Sequence, residues 1–162
     1  MALWKNSGVK SCVELLEVYR AGGKRPFYAE KIVFDGVEGR DVYNITAPFG
    51  LNGEIVIAGR VERRDSEQSE IYFFVNRDGK WVQRSDSPVL ALQDPFYTRI
   101  SGELIIGGVE TYPHPVDPGK LGWRTVFYKE SGLVDKKPFF QGPDQMKDLR
   151  LVQLKDGSIG VF

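Results

Sequence analysis

The chain has 162 residues, 41% of them hydrophobic and 27% charged, enough for one domain with a real core and ordinary for a soluble globular protein. Lys plus Arg equals Asp plus Glu at 22 each, and zero net charge argues against a general binder of nucleic acid or anionic membranes. Cys12 is the single cysteine, so no internal disulfide forms. Residues 1–6 carry no signal-peptide pattern and no apolar run could span a bilayer, so the expected location is cytoplasmic.

In chain order, residues 11–20 read as a short helix with Val13, Leu16 and Tyr19 on one face, or equally as a first strand. An apolar stretch at 42–49 leads to Asn52-Gly53, a tight-turn dipeptide in which glycine supplies positive φ. The run after it, 54–60, is β-branched and too short for a buried helix. Residues 70–76 follow and turn at Arg77-Asp78-Gly79-Lys80 into 81–83. A second unit repeats the plan: 96–100, Ser101-Gly102, then Glu103-Leu104-Ile105-Ile106-Gly107-Gly108, with a further strand at 124–129. In a third, 149–154 precedes Asp156-Gly157 and Ser158-Ile159-Gly160-Val161-Phe162. Hairpins with outer strands, repeating at about 50 residues, predict an all-β propeller of four-stranded blades. About three blades would form a single domain over residues 1–162. A sandwich of hairpins is the alternative.

Each turn glycine is preceded by a polar residue in apolar surroundings: Asn44, Asp94 and the pair Lys147-Asp148, at offsets of nine, eight, and nine or ten residues. In a propeller such positions open the innermost strands, so Asn44, Asp94 and Lys147 are expected to converge on one pocket. Pro95 removes a donor and biases Asp94 towards an extended conformation; the plainer reading is an Asp-Pro turn that starts a strand. Strand alternation puts Arg60, Glu62 and Arg64 on one face, as an anion-binding edge or as exposed ion pairs. His114 sits alone in a Pro-flanked loop, so no metal site is expected, and Cys12 has no His partner for nucleophilic chemistry. Gly107-Gly108 reads as close packing. Trp81 and Trp123 read as core aromatics, with a sugar-stacking platform as the alternative for Trp123.

Tyr43-Asn44 with Ala47-Pro48, then Gly59-Arg60-Val61-Glu62 with Arg64-Asp65 and Ser69-Glu70-Ile71, then Gln93-Asp94-Pro95-Phe96 and Met146-Lys147-Asp148, resemble the mannoside phosphorylases. They are most like the mannan-building phosphorylase/mannosyltransferases and their uncharacterised bacterial homologues, in order along nearly the whole chain. The resemblance implies a five-bladed propeller that acts on β-mannosides with inversion, its partners a mannose-containing oligosaccharide and inorganic phosphate as co-substrate, with no cofactor; some relatives use a nucleotide-linked mannose. It implies Asp94 as general acid and Arg60 and Lys147 as phosphate ligands. Asn44, Asp65 and Asp148 would surround the sugar, with Gln93 and Glu110 also on the substrate-binding side. The alternatives are a hydrolase pairing Asp94 with Glu62 or Glu110, or a non-catalytic sugar-binding or scaffold fragment. Five blades need more chain than this, so a C-terminally incomplete propeller is expected, which self-associates or pairs with a missing half.

Overall fold

The segment left open between helix and strand is helix α1, Cys12–Ala21. Ser11 caps it: its hydroxyl accepts from the Glu14 amide, while the Glu14 carboxylate accepts from the Ser11 amide at 2.7 Å, a reciprocal capping box. None of its residues is buried, and Val13, Leu16 and Tyr19 are all exposed. The computed structural model describes residues 8–23 and 30–162, so the stretch at 1–6 lies outside the described residues. The chain divides into two units, the first ending at Lys31 and carrying α1, the second Ile32–Phe162.

The second unit carries every described strand. A first sheet contains β1 (Phe34–Asp35), β2 (Asp41–Tyr43), β3 (Phe49–Leu51), β4 (Glu54–Glu62), β5 (Ser69–Arg77) and β6 (Lys80–Gln83). Its order is β1-β6-β5-β4-β2, with β3 also paired to β4; only β1 and β6 run parallel. A second sheet runs β10-β9-β8-β7, from β7 (Gln93–Ile100), β8 (Glu103–Pro113), β9 (Leu121–Lys129) and β10 (Phe140–Gln141). β11 (Leu151–Gln153) and β12 (Ile159–Val161) form a third. The unit is therefore all-β apart from one 3-10 turn, Glu130–Gly132.

Cores lie between successive sheets, because alternate residues of each strand face opposite ways. Val56, Ala58, Ile71 and Phe73 cluster with Leu104, Ile106, Val126 and Tyr128. Phe96, Ile105 and Phe127 cluster with Leu149 and Leu151. Burying each such Phe or Leu contributes about 1.5–3 kcal/mol. The turns that join β3 to β4 and β7 to β8 have both central residues left-handed: Asn52 and Gly53 at φ 49° and 78°, Ser101 and Gly102 at 51° and 82°. That geometry matches the strand twist of two-residue hairpins. In the third turn only Gly157 is left-handed, and its amide donates to Leu154.

Four local expectations change. The apolar stretch 42–49 is two strands rather than one, because Asn44 turns left-handed at φ 48° between β2 and β3. Arg64 leaves the Arg60–Glu62 face: β4 ends at Glu62, and Arg64 lies in the following loop, donating to Asp41 at 2.7 Å. Asp94 is left-handed at φ 50°, not extended. The right-handed helical basin is disfavoured before proline, and Asp tolerates the left-handed one. Trp123 is not a core residue, being 37% exposed, whereas Trp81 packs partly buried against Val61, Tyr72 and Phe74.

Candidate active site

Asp94 owes its position to an irregularity in β7. Gln93 pairs with Val109 and Phe96 with Gly107, so β7 carries one residue more than β8 across this interval, a β-bulge. The two glycines of β8 make room for it. A Cβ on Gly108 would meet the Gln93 carbonyl at 2.8 Å, and one on Gly107 would meet the Phe96 ring at 2.2 Å.

The Asp94 side chain, 24% exposed, is held from two elements. Asn44 Nδ2 donates to Asp94 Oδ1 at 2.5 Å, and Arg60 Nη1 donates to the same oxygen at 3.1 Å. Arg60 is itself anchored in the buried end of β4. Its Nε and Nη2 donate to Glu62 Oε2 at 3.0 and 2.5 Å, its Nε also reaches Ser69 Oγ at 2.7 Å, and its guanidinium lies over the Tyr43 ring at 5.1 Å. Glu62 further accepts from Tyr43 Oη at 2.5 Å and from Ser69. β2 pairs Tyr43 with Arg60, and β5 pairs Ser69 with Glu62, so strand register assembles the network.

Burial alone would raise the Glu62 carboxyl, but hydrogen bonds from Ser69, Tyr43 and Arg60 outweigh it and hold the pKa below the usual carboxylate range. Burial, reinforced by the bond to Glu62, pushes the Tyr43 phenol up to about 12. Burial works against the Arg60 charge, yet Glu62 and Asp94 more than offset it and raise its pKa. The result is a permanently charged arginine fixed between one buried carboxylate and one open to solvent.

Asn44, Asp94 and Asp148 share the left-handed backbone, at φ 48°, 50° and 64°. The third equivalent position is thus Asp148, and Lys147 matches the residue before it, as Gln93 precedes Asp94 and Tyr43 precedes Asn44. Lys147 is exposed, makes no ion pair, and lines a cavity of about 200 Å³ with Gln93, Glu67, Val109, Thr111 and Trp123. Gln93 Nε2 donates to the Glu67 carbonyl, and the Glu67 carboxylate comes within 3.9 Å of Arg60, so this cavity adjoins the Asp94 cluster. Glu110 stands elsewhere: it accepts from Arg124 at 2.7 Å on the face of β8 opposite Val109 and Thr111. Asp65 is exposed, paired to Arg63 at 3.1 Å, and lines a separate cavity with Glu38, Gly39 and Arg40. Asp148 is exposed.

Tyr43 and Ser69 were not named as site residues from sequence, although both fall inside the motif runs above; only pairing to β4 reveals them. Among the described residues no group of three or more His, Cys, Asp or Glu side chains could hold a metal ion, and no helix is long and apolar enough to cross a membrane.

No curated protein matches the chain. Among the solved structures that resemble it are three from Leishmania. MPT-1, a GDP-Man-dependent mannosyltransferase from Leishmania mexicana, is 33% identical with a TM-score of 0.72, over 93% of this chain and 48% of that one. MPT-4, a mannose phosphorylase from L. mexicana solved in complex with phosphate ion, is 32% identical with a TM-score of 0.76, over 93% and 46%. A hypothetical protein from Leishmania major is 33% identical with a TM-score of 0.74, over 92% and 48%. The chain spans about half the length of these relatives. The stretch that contains the whole Asn44–Arg60–Asp94 cluster, residues 20–162, matches one family model throughout, and the chain belongs to that family, DUF1861, described as a protein of unknown function.

Proposed function

We propose that the chain carries the reacting carboxyl group of a mannose-acting carbohydrate enzyme. It would move a mannosyl unit between a β-mannoside and inorganic phosphate with inversion, in either direction. The observation that carries this reading is Asp94, fixed by Asn44 and Arg60 yet open to solvent, one residue from a cavity that holds the unpaired Lys147. The mannosyltransferase and the mannose phosphorylase among its structural relatives support the same substrate.

In phosphorolysis a phosphate oxygen attacks the anomeric carbon while the glycosidic C–O bond breaks. The departing oxygen takes its proton from Asp94, directly or through a sugar hydroxyl. Because phosphate is the nucleophile, one protein carboxyl suffices. Lys147 supplies the free cation for the phosphate, and Arg60 adds a fixed positive charge beside the acid. Asn44, Gln93 and Asp148 are assigned to the sugar. Asp65 and Glu110, which lie away from the cluster, have no role in this step. The three sheets, packed in chain order with cores between them, are read as about three blades of a five-bladed propeller, and the half-length match to the relatives supports that reading.

A hydrolase would need a second free carboxylate. Glu62 is locked by Arg60, Ser69 and Tyr43, and Glu110 sits on the far face of β8, so phosphorolysis is favoured. Incubating the chain with a β-mannoside, with and without phosphate, tests the reading. Mannose 1-phosphate formed only with phosphate is expected. Free mannose in both reactions would establish hydrolysis, and binding without turnover would leave a sugar-binding role.

A further inference from the structure

The two donors that hold Asp94 meet on one of its oxygens. Asn44 Nδ2 and Arg60 Nη1 both donate to Oδ1, at 2.5 and 3.1 Å, and among the described residues no hydrogen bond reaches Oδ2. A carboxyl oxygen has two lone pairs, so this pair of donors saturates Oδ1. A proton placed on Oδ1 would displace one donor and sit beside a permanent cation. The proton of the neutral acid therefore belongs on Oδ2, and the charge left after its transfer is met at Oδ1 by Arg60.

Both donors take their places from β4. Arg60 lies in it, and Asn44 sits between two anchors on it. On one side Tyr43 pairs with Arg60. On the other, buried Thr46 donates its amide to the Ala58 carbonyl at 2.8 Å and accepts from the Ala58 amide at 3.0 Å. Between these anchors the backbone turns left-handed at Asn44, φ 48°, a conformation that Asn tolerates better than most residues. From there the side chain crosses from the first sheet to Asp94 in the second. That bond commits Nδ2 to the acid, so only the Asn44 carbonyl oxygen remains for a sugar hydroxyl.

We infer that Asn44 is a positioning residue for the acid: with Arg60 it fixes the Asp94 carboxyl so that the transferable proton sits on Oδ2. In phosphorolysis the glycosidic bond breaks as a phosphate oxygen bonds to the anomeric carbon. The departing oxygen takes the Oδ2 proton, directly or through a sugar hydroxyl, and the O–H electron pair stays on the carboxylate. The inference rests on the reading of Asp94 as the acid and adds Asn44 to the proton transfer.

The test compares two substrates in the presence of phosphate. β-Mannobiose has a departing oxygen that needs a proton, whereas 2,4-dinitrophenyl β-mannoside loses a phenolate that needs none. Asn44→Gly keeps the left-handed backbone and removes the side chain; Asn44→Asp keeps the size and removes the donor. Each should lower kcat on mannobiose by about tenfold to a hundredfold, the scale of a misplaced catalytic group. KM on mannobiose, and kcat on the dinitrophenyl substrate, should stay within about threefold of the parent. A larger rise in KM, or an equal loss on both substrates, overturns the inference and leaves Asn44 a sugar ligand. Asp94→Asn separates that result from a failure of the underlying reading. It should show the same split between substrates, and an equal loss on both would mean that Asp94 is not the acid. If the chain binds sugar without turnover, the NMR signals of the Asn44 side-chain amide decide. A downfield amide proton that is lost in Asp94→Ala and kept at saturating mannobiose supports the inference. Its absence in the parent, or its loss on adding sugar, overturns it.

Discussion

β4 and β8 leave equivalent turns, and seven and nine residues beyond the turn glycine they present different chemistry. β4 carries Arg60 and Glu62 there, β8 Val109 and Thr111. In the first sheet the charged pair, with Tyr43 and Ser69, fills its space and is buried, at 9% and 10% side-chain exposure. In the second sheet the smaller, uncharged pair borders the cavity that holds Lys147. One copy of the hairpin is built as a rigid support for Asp94, the other as room beside it. The β8–β9 pair also carries an Arg–Glu contact, Arg124 with Glu110, with Arg124 over the Tyr112 ring at 5.2 Å. Those side chains are about one-third exposed, so the same three chemical parts contribute far less there.

The comparison breaks hardest at Glu62. Glu62→Ala removes the buried carboxylate that holds Arg60 through both Nε and Nη2, and stability should fall by about 3–5 kcal/mol. Denaturant unfolding measures this, and a loss under 1 kcal/mol would mean that the network is not a support.

Asp94→Asn keeps an oxygen that can accept from Asn44 and Arg60 but removes the acid. On the reading above, mannosyl turnover should fall by about a hundredfold or more while sugar binding survives, on the scale of lost general acid catalysis. Turnover at the wild-type rate would reduce Asp94 to a bulge residue.

Titration sharpens the contrast without mutation. The folded Glu62 pKa is depressed, so its contribution to stability is present above the unfolded carboxylate value and lost as pH falls through the folded one. Tyr43 goes the other way. Its folded pKa is about 12, so its contribution is full below the unfolded value near 10 and is lost as pH rises towards 12. Ultraviolet difference titration should find one tyrosine that ionises near pH 12, absent in Tyr43→Phe. Tyr112, whose hydroxyl is also raised by its bond to Asp144, should stay when Tyr43 is removed.

The smallest effect is expected at Glu110→Gln. A partly exposed pair with Arg124 contributes about 0–1 kcal/mol, and a melting curve close to the parent's is the outcome that fits. A loss as large as that of Glu62→Ala would erase the distinction between the two hairpins.

The hairpins and their spacing were legible in sequence because tight turns advertise themselves: Asn52-Gly53 and Ser101-Gly102 adopt the left-handed pairs that their types favour. The register of Asn44 with Asp94 was legible for the same reason, being counted from those turns. Which residue of Lys147-Asp148 completes it was not, since handedness is a backbone property that both residue types permit. Nor could Asp94 be read correctly as extended or not, because Pro95 excludes only the right-handed basin and leaves two others. Tyr43 and Ser69 needed cross-strand pairing, which links positions far apart in sequence. Trp123 was read as a core aromatic with a sugar-stacking platform as the alternative; it is exposed and lies on the wall of the cavity that holds Lys147, a position set by the pairing of β9 with β8.

The bulge at Gln93–Phe96 also decides what kinds of change this chain tolerates. Upstream of it Leu90 and Leu92 are buried while Ala91 is exposed; downstream Phe96 is buried against the third sheet. The extra residue lets β7 keep Phe96 in its core while Asp94 reaches Asn44 and Arg60. Deleting any one residue between Gln93 and Phe96 would remove the bulge and pull Asp94 away from Asn44 and Arg60, while Leu90 stays held by its two backbone bonds to Ile71. Substitutions here can be graded, but insertions and deletions are all-or-none, and a shuffled or recombined relative remains foldable only if its joint falls outside these four residues.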